Sequence, residues 1–279
     1  MPNKLIVRVM MYFVLLISNK AHALEPYDNY VVPDGSYFLM YPVYYKANTL
    51  ADENGDVAVN DLNLRYSSNV FRYAHAGTTK DDGKWLLNVL LPVVDIDLLG
   101  EKDQGIGDLT LGSAYWLINH QKSKTWLVIA GFVDFPTGDY DSKNTANVGL
   151  NVWKFRPSLG LAKQYNDFDL EVTYRYNIYS ENEDIDFKYG SENILESYLG
   201  YSVTPKLLFG IHYNIINGSD NETNGSIVPD SAIRKNQLGV SFNYLFGKGT
   251  GITTVFLSEF NNENSPEGDT LMMRLFWKI

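Results

Sequence analysis

The chain has 279 residues, no cysteine and a formal net charge of −10. The lack of cysteine excludes a disulfide scaffold and thiolate metal sites, and the acidic balance argues against binding to nucleic acid, which requires a basic surface. A mean hydropathy of −0.20 excludes a protein built from many transmembrane helices. The 20 tyrosines stand out, because they are many for a chain in which only 45% of the residues are hydrophobic.

The start of the chain has the pattern of a secretory signal. Two basic residues precede an apolar run at residues 9–17, and small residues follow it as far as Ala23. This run is too short to span a bilayer, which takes about 20 residues. We therefore predict a signal peptide at residues 1–23, Sec-type export with cleavage after Ala23, and one domain at residues 24–279.

Beyond the signal, hydrophobicity alternates with a period of two, which is typical of β-strands. The clearest case is residues 168–179. Its even positions are apolar or aromatic, and they are Phe168, Leu170, Val172, Tyr174, Tyr176 and Ile178. Its odd positions are mostly polar, and they are Asp169, Glu171, Thr173, Arg175, Asn177 and Tyr179. Because successive strand side chains point to opposite faces, this strand has one apolar and one polar face.

Similar segments recur along the whole chain. There are twelve, at residues 36–46, 60–73, 85–97, 106–119, 124–136, 150–165, 168–180, 194–203, 206–217, 233–246, 251–261 and 270–279. In the second half, short and long connections alternate between them, as they do in outer-membrane barrels. The first half fits less well, because the connection at residues 74–84 should be a short turn and has eleven residues.

Two architectures have alternating strands. A soluble β-sandwich has them, but it needs neither aromatic residues on its exposed face nor connections that alternate in length. In a membrane barrel, a basic residue such as Arg175 costs about 2–4 kcal/mol at the bilayer midplane and little in a wet lumen. We therefore predict an all-β fold, an antiparallel transmembrane β-barrel of about 12 strands in the bacterial outer membrane.

The barrel also gives the tyrosines a place. Several lie on apolar strand faces, often near strand ends: Tyr37, Tyr41, Tyr45, Tyr174 and Tyr176. At the outer surface of a barrel, such a ring can sit in the membrane interface with its hydroxyl in water. We expect these tyrosines on the outer face.

Four short motifs occur in order in the middle of the chain. They are GIGDLTLG at residues 105–112, FPTGDY at 135–140, GLNVW at 149–153, and a looser match over 176–190. Together they resemble the meta-pathway phenol degradation family of outer-membrane transporters. The resemblance implies a barrel that takes up aromatic compounds. The motif residues are Gly105, Gly107, Asp108, Pro136, Thr137, Gly138 and Asp139.

The polar strand faces supply the candidate lumen residues, once every strand is oriented like residues 168–179. They are Arg65, Lys154, Arg156, Asp169, Glu171, Arg175, Glu196, Tyr198, His212, Asn214, Lys235, Arg274 and Lys278. Charges of both signs occur, which favours a channel with internal ion pairs over a selective pore with rings of one sign. The alternative is that these residues only solvate the inner wall.

One segment, residues 124–136, is apolar on both faces. Trp126, Val128 and Phe132 would therefore give the lumen an apolar patch, which could accept a hydrophobic solute or form a packed interior. The acidic runs at residues 52–56 and 181–186 lack the spacing of a calcium loop, so we expect no metal site and no cofactor.

The pattern predicts a passive outer-membrane channel for the uptake of small molecules, among them hydrophobic or aromatic ones. An adhesin-like or structural barrel that acts through its outer loops is the main alternative, and an outer-membrane lipid hydrolase is a minor one. The mature histidines, His75, His120 and His212, lie in no recognisable catalytic motif, so we expect no enzyme and no catalytic residues.

The expected partners follow from this architecture. They are outer-membrane lipid, a small-molecule solute and the barrel insertion machinery, which would read the terminal alternation that ends at Ile279. No nucleic acid is expected, and the sequence leaves the oligomeric state open.

Overall fold

The computed structural model describes residues 24–247 and 249–279, so the predicted signal peptide lies outside the described residues. The described chain consists of strands and their connections. In chain order the strands are β1 (Gly35–Ala51), β2 (Val57–Val59), β3 (Leu64–Thr78), β4 (Lys84–Leu98), β5 (Glu101–Ile106), β6 (Thr110–His120), β7 (Thr125–Asp134), β8 (Lys154–Tyr165), β9 (Phe168–Tyr179), β10 (Glu181–Asn182), β11 (Phe187–Lys188), β12 (Glu192–Thr204), β13 (Leu207–Gly218), β14 (Glu222–Thr223), β15 (Ser226–Ile227), β16 (Arg234–Gly247), β17 (Thr250–Glu263) and β18 (Pro266–Lys278).

Twelve long strands form a closed barrel. Each pairs antiparallel with its neighbours, in the order β1, β3, β4, β6, β7, β8, β9, β12, β13, β16, β17 and β18. The last strand returns to the first, with Tyr37 opposite Lys278 at one end and Leu50 opposite Pro266 at the other. Closure leaves no open sheet edge, which is what a strand-built protein needs in lipid. The predicted all-β barrel of 12 strands is confirmed.

The connection at residues 74–84 is shorter than the sequence indicated. β3 continues to Thr78 and β4 begins at Lys84, so the turn is only residues 79–83. Ala74 and Ala76 face inward and are buried. Because small alanines interrupt the apolar alternation, the sequence pattern ended too early there.

The two faces of the wall follow the predicted alternation. On β9, Asp169, Glu171 and Asn177 point inward and each is 0% exposed, whereas Leu170 and Tyr174 point outward and are each 46% exposed. An apolar outer face around a polar interior is the arrangement of outer-membrane barrels. Within the described residues, no helix is long and apolar enough to serve as a membrane span.

The expectation for the β1 tyrosines was wrong. Tyr41 and Tyr45 face the lumen and are buried, whereas Tyr174 lies on the outer face as expected. The reason is that the outer half of the lumen is filled by apolar side chains on this side, among them Tyr66 and Leu257. The apolar face of β1 therefore packs inward.

Closure through β18 predicts that the end of the chain is essential for assembly. Deletion of residues 271–279 removes the partners of Phe38 and Tyr44 and leaves β1 and β17 with open edges. We expect the truncated protein to lack the heat-modifiable folded band on a gel and to stay out of the outer membrane. Ile227→Ala, at an exposed side chain away from this seam, is the control and should assemble normally. A normal folded band from the longer deletion would contradict the role given to β18.

Candidate functional site

The segment of residues 24–34, here called the N-terminal plug, lies inside the barrel ahead of β1. Its backbone is held by a wall carboxylate, because Tyr27 N and Asn29 N donate to Glu171 Oε1 and Oε2 at 2.5 and 2.9 Å. Tyr30 donates its hydroxyl to Asp169 Oδ1 at 2.5 Å. Glu171 and Asp169 lie on the inner face of β9, so the alternation of one strand provides the seat for the plug.

An ion-pair cluster fixes the plug on the opposite side of the lumen. Arg274 of β18 places Nη1 2.7 Å from Glu25 Oε2 and 2.8 Å from Asp28 Oδ1. Its Nη2 donates to the carbonyl oxygen of Pro26 at 2.7 Å. The Arg274 side chain is 8% and that of Glu25 2% exposed. Removing one partner of such a buried, hydrogen-bonded pair leaves the other charge buried without compensation, which is strongly destabilising.

Close packing against β6 and β8 completes the seat. Trp116 donates its indole N–H to the carbonyl oxygen of Asn29 at 2.9 Å. A Cβ at position 160 would overlap the side chain of Asn29, so Gly160 leaves the space that Asn29 fills. Tyr30 lies over Trp126, with ring centroids 4.1 Å apart. The plug is therefore complementary to this wall in shape as well as in charge.

The plug leaves the lumen through Asp34, at the rim that carries the short turns, which is the periplasmic rim in outer-membrane barrels. Thr78 and Lys84 contact its carboxylate at 2.6 and 3.1 Å, and Lys278 Nζ donates to its backbone oxygen at 2.8 Å. The hydrogen bonds from Thr78 and Lys84 hold the pKa of Asp34 below its usual value. Asp34 is exposed, so these contacts mark the exit of the chain rather than a strong anchor.

Residues 135–153, here called the lid, cover the opposite mouth of the barrel. The motif residues hold this segment in place. Asp108 accepts backbone N–H groups from Thr137 and Gly138 on Oδ1 and from Leu150 on Oδ2, at 2.9–3.1 Å. A Cβ on Gly138 would lie 2.9 Å from the backbone of Asp108, Gly107 and Gly149. A carboxylate that collects three backbone donors organises a loop strongly.

The other motif residues lie in the same junction. A side chain at Gly105 would collide with the carboxylate of Asp139, and one at Gly107 would meet Pro92. Pro136 lies between Phe135 and Thr137, where the loop departs from β7. The loop then carries Val148 into the apolar cluster that contains Tyr45. The motif thus shapes a lid over the lumen.

Two further loops form a small sheet at this mouth. β10, β11, β14 and β15 pair in that order. Phe187 and Tyr189 from this region pack with Leu150 and Val152 of the loop. The outer connections therefore support one another over the barrel.

A cavity of about 110 Å³ lies inside the barrel beside the plug, whose residues Leu24, Glu25, Asp28 and Asn29 form part of its lining. By volume it can hold several water molecules or one small ring. One part of its lining is apolar and includes Leu86, Leu90, Val128, Ala130 and Phe132. The other part is polar and includes Arg72, Asn88, Arg156 and Arg175, with Glu25 and Asp28 from the plug.

The arginines of the cavity differ in their partners. Arg156 and Arg175 form ion pairs with Asp134 and Glu196, at 2.5 and 2.8 Å. Arg72 instead donates to neutral groups, the Asn88 carbonyl at 2.8 Å and the Tyr41 hydroxyl at 3.0 Å. The Asn88 amide nitrogen is buried without a hydrogen-bond partner. Arg72 and Asn88 can therefore offer donors to a molecule in the cavity.

The structure brings most of the predicted lumen residues together. These are inward-facing and buried or nearly so: Lys154, Arg156, Asp169, Glu171, Arg175, Glu196, Tyr198, His212, Asn214, Lys235 and Arg274. Lys278 shares this face but lies exposed at the rim. Lys235 pairs with Glu259 at 3.0 Å, an internal ion pair of the kind expected.

Arg65 does not belong with the lumen residues. It is exposed on the outer face of β3, between the inward-facing Leu64 and Tyr66. The apolar side chains of this strand pack inward, on the same cluster as Tyr45. The even positions of β3 therefore face the lumen, whereas the sequence pattern had assigned the odd positions to it. Arg65 is therefore a surface residue near the outer end of the strand.

The predicted apolar residues lie inside the barrel. Trp126 and Val128 are each 5% exposed, and Phe132 packs on the cluster that contains Tyr45, with its ring 5.3 Å from the Arg156 guanidinium. Trp126 contacts the plug, whereas Val128 and Phe132 line the cavity. The segment thus provides both a packed interior and an apolar wall.

The sequence pattern did not predict the plug or the polar cavity residues Tyr41, Arg72 and Asn88. The sequence does contain a feature that points to the plug. Residues 24–34 carry acidic residues and two tyrosines before the first strand, and Arg274 in the last strand is a candidate partner for these acids. Arg72 was missed because the alternation of β3 was assigned with the wrong parity.

Comparison with solved structures supports the fold. The chain is similar to the COG4313 outer membrane channel from Pseudomonas putida F1, with a TM-score of 0.85, 19% identity, and coverage of 92% of this chain and 100% of that one. It is less similar to the translocator domain of the autotransporter NalP from Neisseria meningitidis, with a TM-score of 0.53, 8% identity, and coverage of 89% and 90%. The TodX monoaromatic hydrocarbon channel has a TM-score of 0.52, 10% identity, and coverage of 89% and 91%.

These neighbours are outer-membrane barrels, and at this identity they show the fold alone. None of the curated proteins compared with the chain matches its sequence. A family model, however, matches residues 47–275, which is most of the chain. The chain belongs to the family described as "Putative MetA-pathway of phenol degradation".

Proposed function

We propose that this protein is a passive outer-membrane channel for small aromatic molecules, and that the N-terminal plug governs passage through it. The observation that carries the proposal is the cavity inside the barrel, which is bounded by a segment that is not part of the wall. The plug belongs to the chain before β1 and is held largely by side chains. It can therefore leave its seat while the barrel keeps its own backbone hydrogen bonds.

The chemistry of the cavity fits a ring that carries one oxygen. Leu86, Leu90 and Val128 offer apolar surface to the ring, while Arg72 and the Asn88 amide can donate to a hydroxyl or carbonyl oxygen. Pockets of this kind, mostly apolar with a few placed polar groups, are typical of small-molecule sites. Glu25 and Asp28 share Arg274, so their remaining negative charge balances the positive charge of Arg72, and a neutral phenol is the preferred class.

We further propose that the chain reaches the membrane by Sec-type export with cleavage after Ala23. Its exposed outer leucines, valines and aromatic residues would contact outer-membrane lipid, and the strand ending at Lys278 would be read by the barrel insertion machinery. Both partners fit a closed barrel with an apolar outer face.

An enzymatic role is disfavoured. Ser36 Oγ lies 3.0 Å from His75 Nδ1 at the periplasmic end of the outer face. Among the contacts of the described residues, however, no carboxylate bonds to His75, and Ser36 also contacts the Tyr73 hydroxyl at 2.9 Å. Without an orienting group the pair lacks a catalytic arrangement. His212 is buried in the lumen against Tyr198, away from lipid.

An adhesin-like role has one observation in its favour, the small sheet of β10, β11, β14 and β15 at the outer mouth. That sheet packs on the lid, through Phe187 and Tyr189 against Leu150. Its position suits closure of the lumen at least as well as binding to a surface. A deletion of this sheet that abolished surface binding but left permeability unchanged would favour the adhesin.

Removal of the plug should open the channel. In a variant without residues 25–33, the lumen loses the groups that Glu171 and Arg274 hold, and water can replace them. We expect single-channel conductance in planar bilayers to rise several-fold over the complete protein. Arg234→Gln, which breaks an exposed rim pair with Glu263, is the control and should conduct like the wild type. A folded plug-deleted barrel that conducted no ions would contradict the channel.

Arg72 should contribute to solute binding. Arg72→Leu removes a donor from the cavity without leaving a buried charge unpaired, and one hydrogen bond to a charged group contributes about 1.5–3 kcal/mol. We expect the phenol concentration that half-blocks the ion current to rise about tenfold or more. Arg65→Leu, on the outer face of the same strand, is the matched control and should leave the block unchanged. Equal block in Arg72→Leu and the wild type would contradict the assigned site.

A further inference from the structure

The first residue of the plug has an unusual environment for a backbone nitrogen. Leu24 N donates to Glu196 Oε1 at 3.0 Å, and this contact is buried. The Leu24 side chain is 3% exposed and packs with Tyr198, Leu208 and Tyr27. The position is thus a closed seat in the wall of β12 and β13, with a carboxylate aimed at the nitrogen.

The sequence places the expected cleavage immediately before this residue. Small residues lead up to Ala23, so the nitrogen of Leu24 would become the amino terminus of the mature chain. A backbone amide offers one N–H and no charge, whereas a terminal ammonium offers three donors and a positive charge. The carboxylate makes either contact a charge-assisted hydrogen bond, and an ammonium adds the attraction between two buried opposite charges.

The surroundings of the seat favour a cation. Glu196 already receives Arg175 Nη2 at 2.8 Å on its other oxygen, and its first oxygen faces Leu24. The neighbouring carboxylates Glu171 and Asp169 are held by neutral donors from the plug, and neither has an ion pair within the described part of the chain. A positive charge at Leu24 would offset this surplus of negative charge.

We propose that processing after Ala23 creates the group that anchors the plug: the α-ammonium of Leu24 forms a buried ion pair with Glu196. This inference rests on the proposed channel function. It makes maturation of the chain and closure of the lumen one event, because an unprocessed or extended chain carries only an amide at this position. Glu196 is then a positioning residue for the gate.

Two variants test the anchor from opposite sides. The first inserts Gly-Ser between Ala23 and Leu24, which moves the ammonium two residues away and leaves an amide at the seat. The second, Glu196→Gln, keeps the shape of the acceptor but removes its charge. Amino-terminal sequencing of the purified proteins checks that the wild type begins at Leu24 and the first variant at the inserted glycine.

Single-channel recording in planar bilayers gives the readout. We expect either variant to increase the fraction of time spent conducting about tenfold or more, because each removes one of the two charges of the buried ion pair. The double variant should open no further than the single ones, since both remove the same interaction. Matched controls are Gly-Ser inserted between Gln121 and Lys122 in an exposed turn, and Glu263→Gln at the rim.

Three results would overturn the anchor. One is a mature amino terminus other than Leu24. Another is a folded insertion variant that gates like the wild type, even if Glu196→Gln opens the channel. The third is additive opening in the double variant, which would mean two separate interactions. The plug-deleted protein distinguishes a failure of the anchor from a failure of the channel function. If that protein does not conduct, the result counts against the channel itself.

Discussion

The structure depends on one constraint: backbone amides of the N-terminal plug are held by carboxylates of the barrel wall. Glu171 accepts both Tyr27 N and Asn29 N, and it can do so only because the alternation of β9 turns it inward. A buried carboxylate without donors would be costly, so wall and plug require each other. Arg274 repeats the arrangement with reversed charges by binding Glu25 and Asp28.

The same constraint explains why the lumen charges carry both signs. Pairs such as Arg156 with Asp134 and Lys235 with Glu259 neutralise the wall internally. Arg274 is different, because its acidic partners come from a segment that is not part of the wall. Paired wall charges stay in place when the plug moves, whereas the Arg274 cluster must exchange its partners for water. In the proposed gating, the energetic cost would therefore fall on few residues.

Period-two alternation was enough to predict twelve strands, a closed barrel and an inward polar face on β9, because lipid outside and water inside impose opposite demands on alternate residues. The prediction failed where that premise fails. On β1 and β3 the interior is packed with apolar side chains, so Tyr41, Tyr45 and Arg65 were assigned to the wrong face. The plug could not be predicted from strand patterns at all, since it has no regular structure and its partners are distant in sequence. The motif residues were recognised as a set, but only the structure shows that Asp108 ties the lid to the wall.

The plug borders a small cavity inside the barrel, and the lid packs on the apolar cluster at the other mouth. Hydrogen exchange of the backbone amides in the folded protein tests most directly whether the plug is seated on Glu171 within the barrel. The amides of Tyr27 and Asn29 should exchange orders of magnitude more slowly than that of Lys122 in an exposed turn. Exchange of the Tyr27 and Asn29 amides as fast as that of Lys122 would contradict the account.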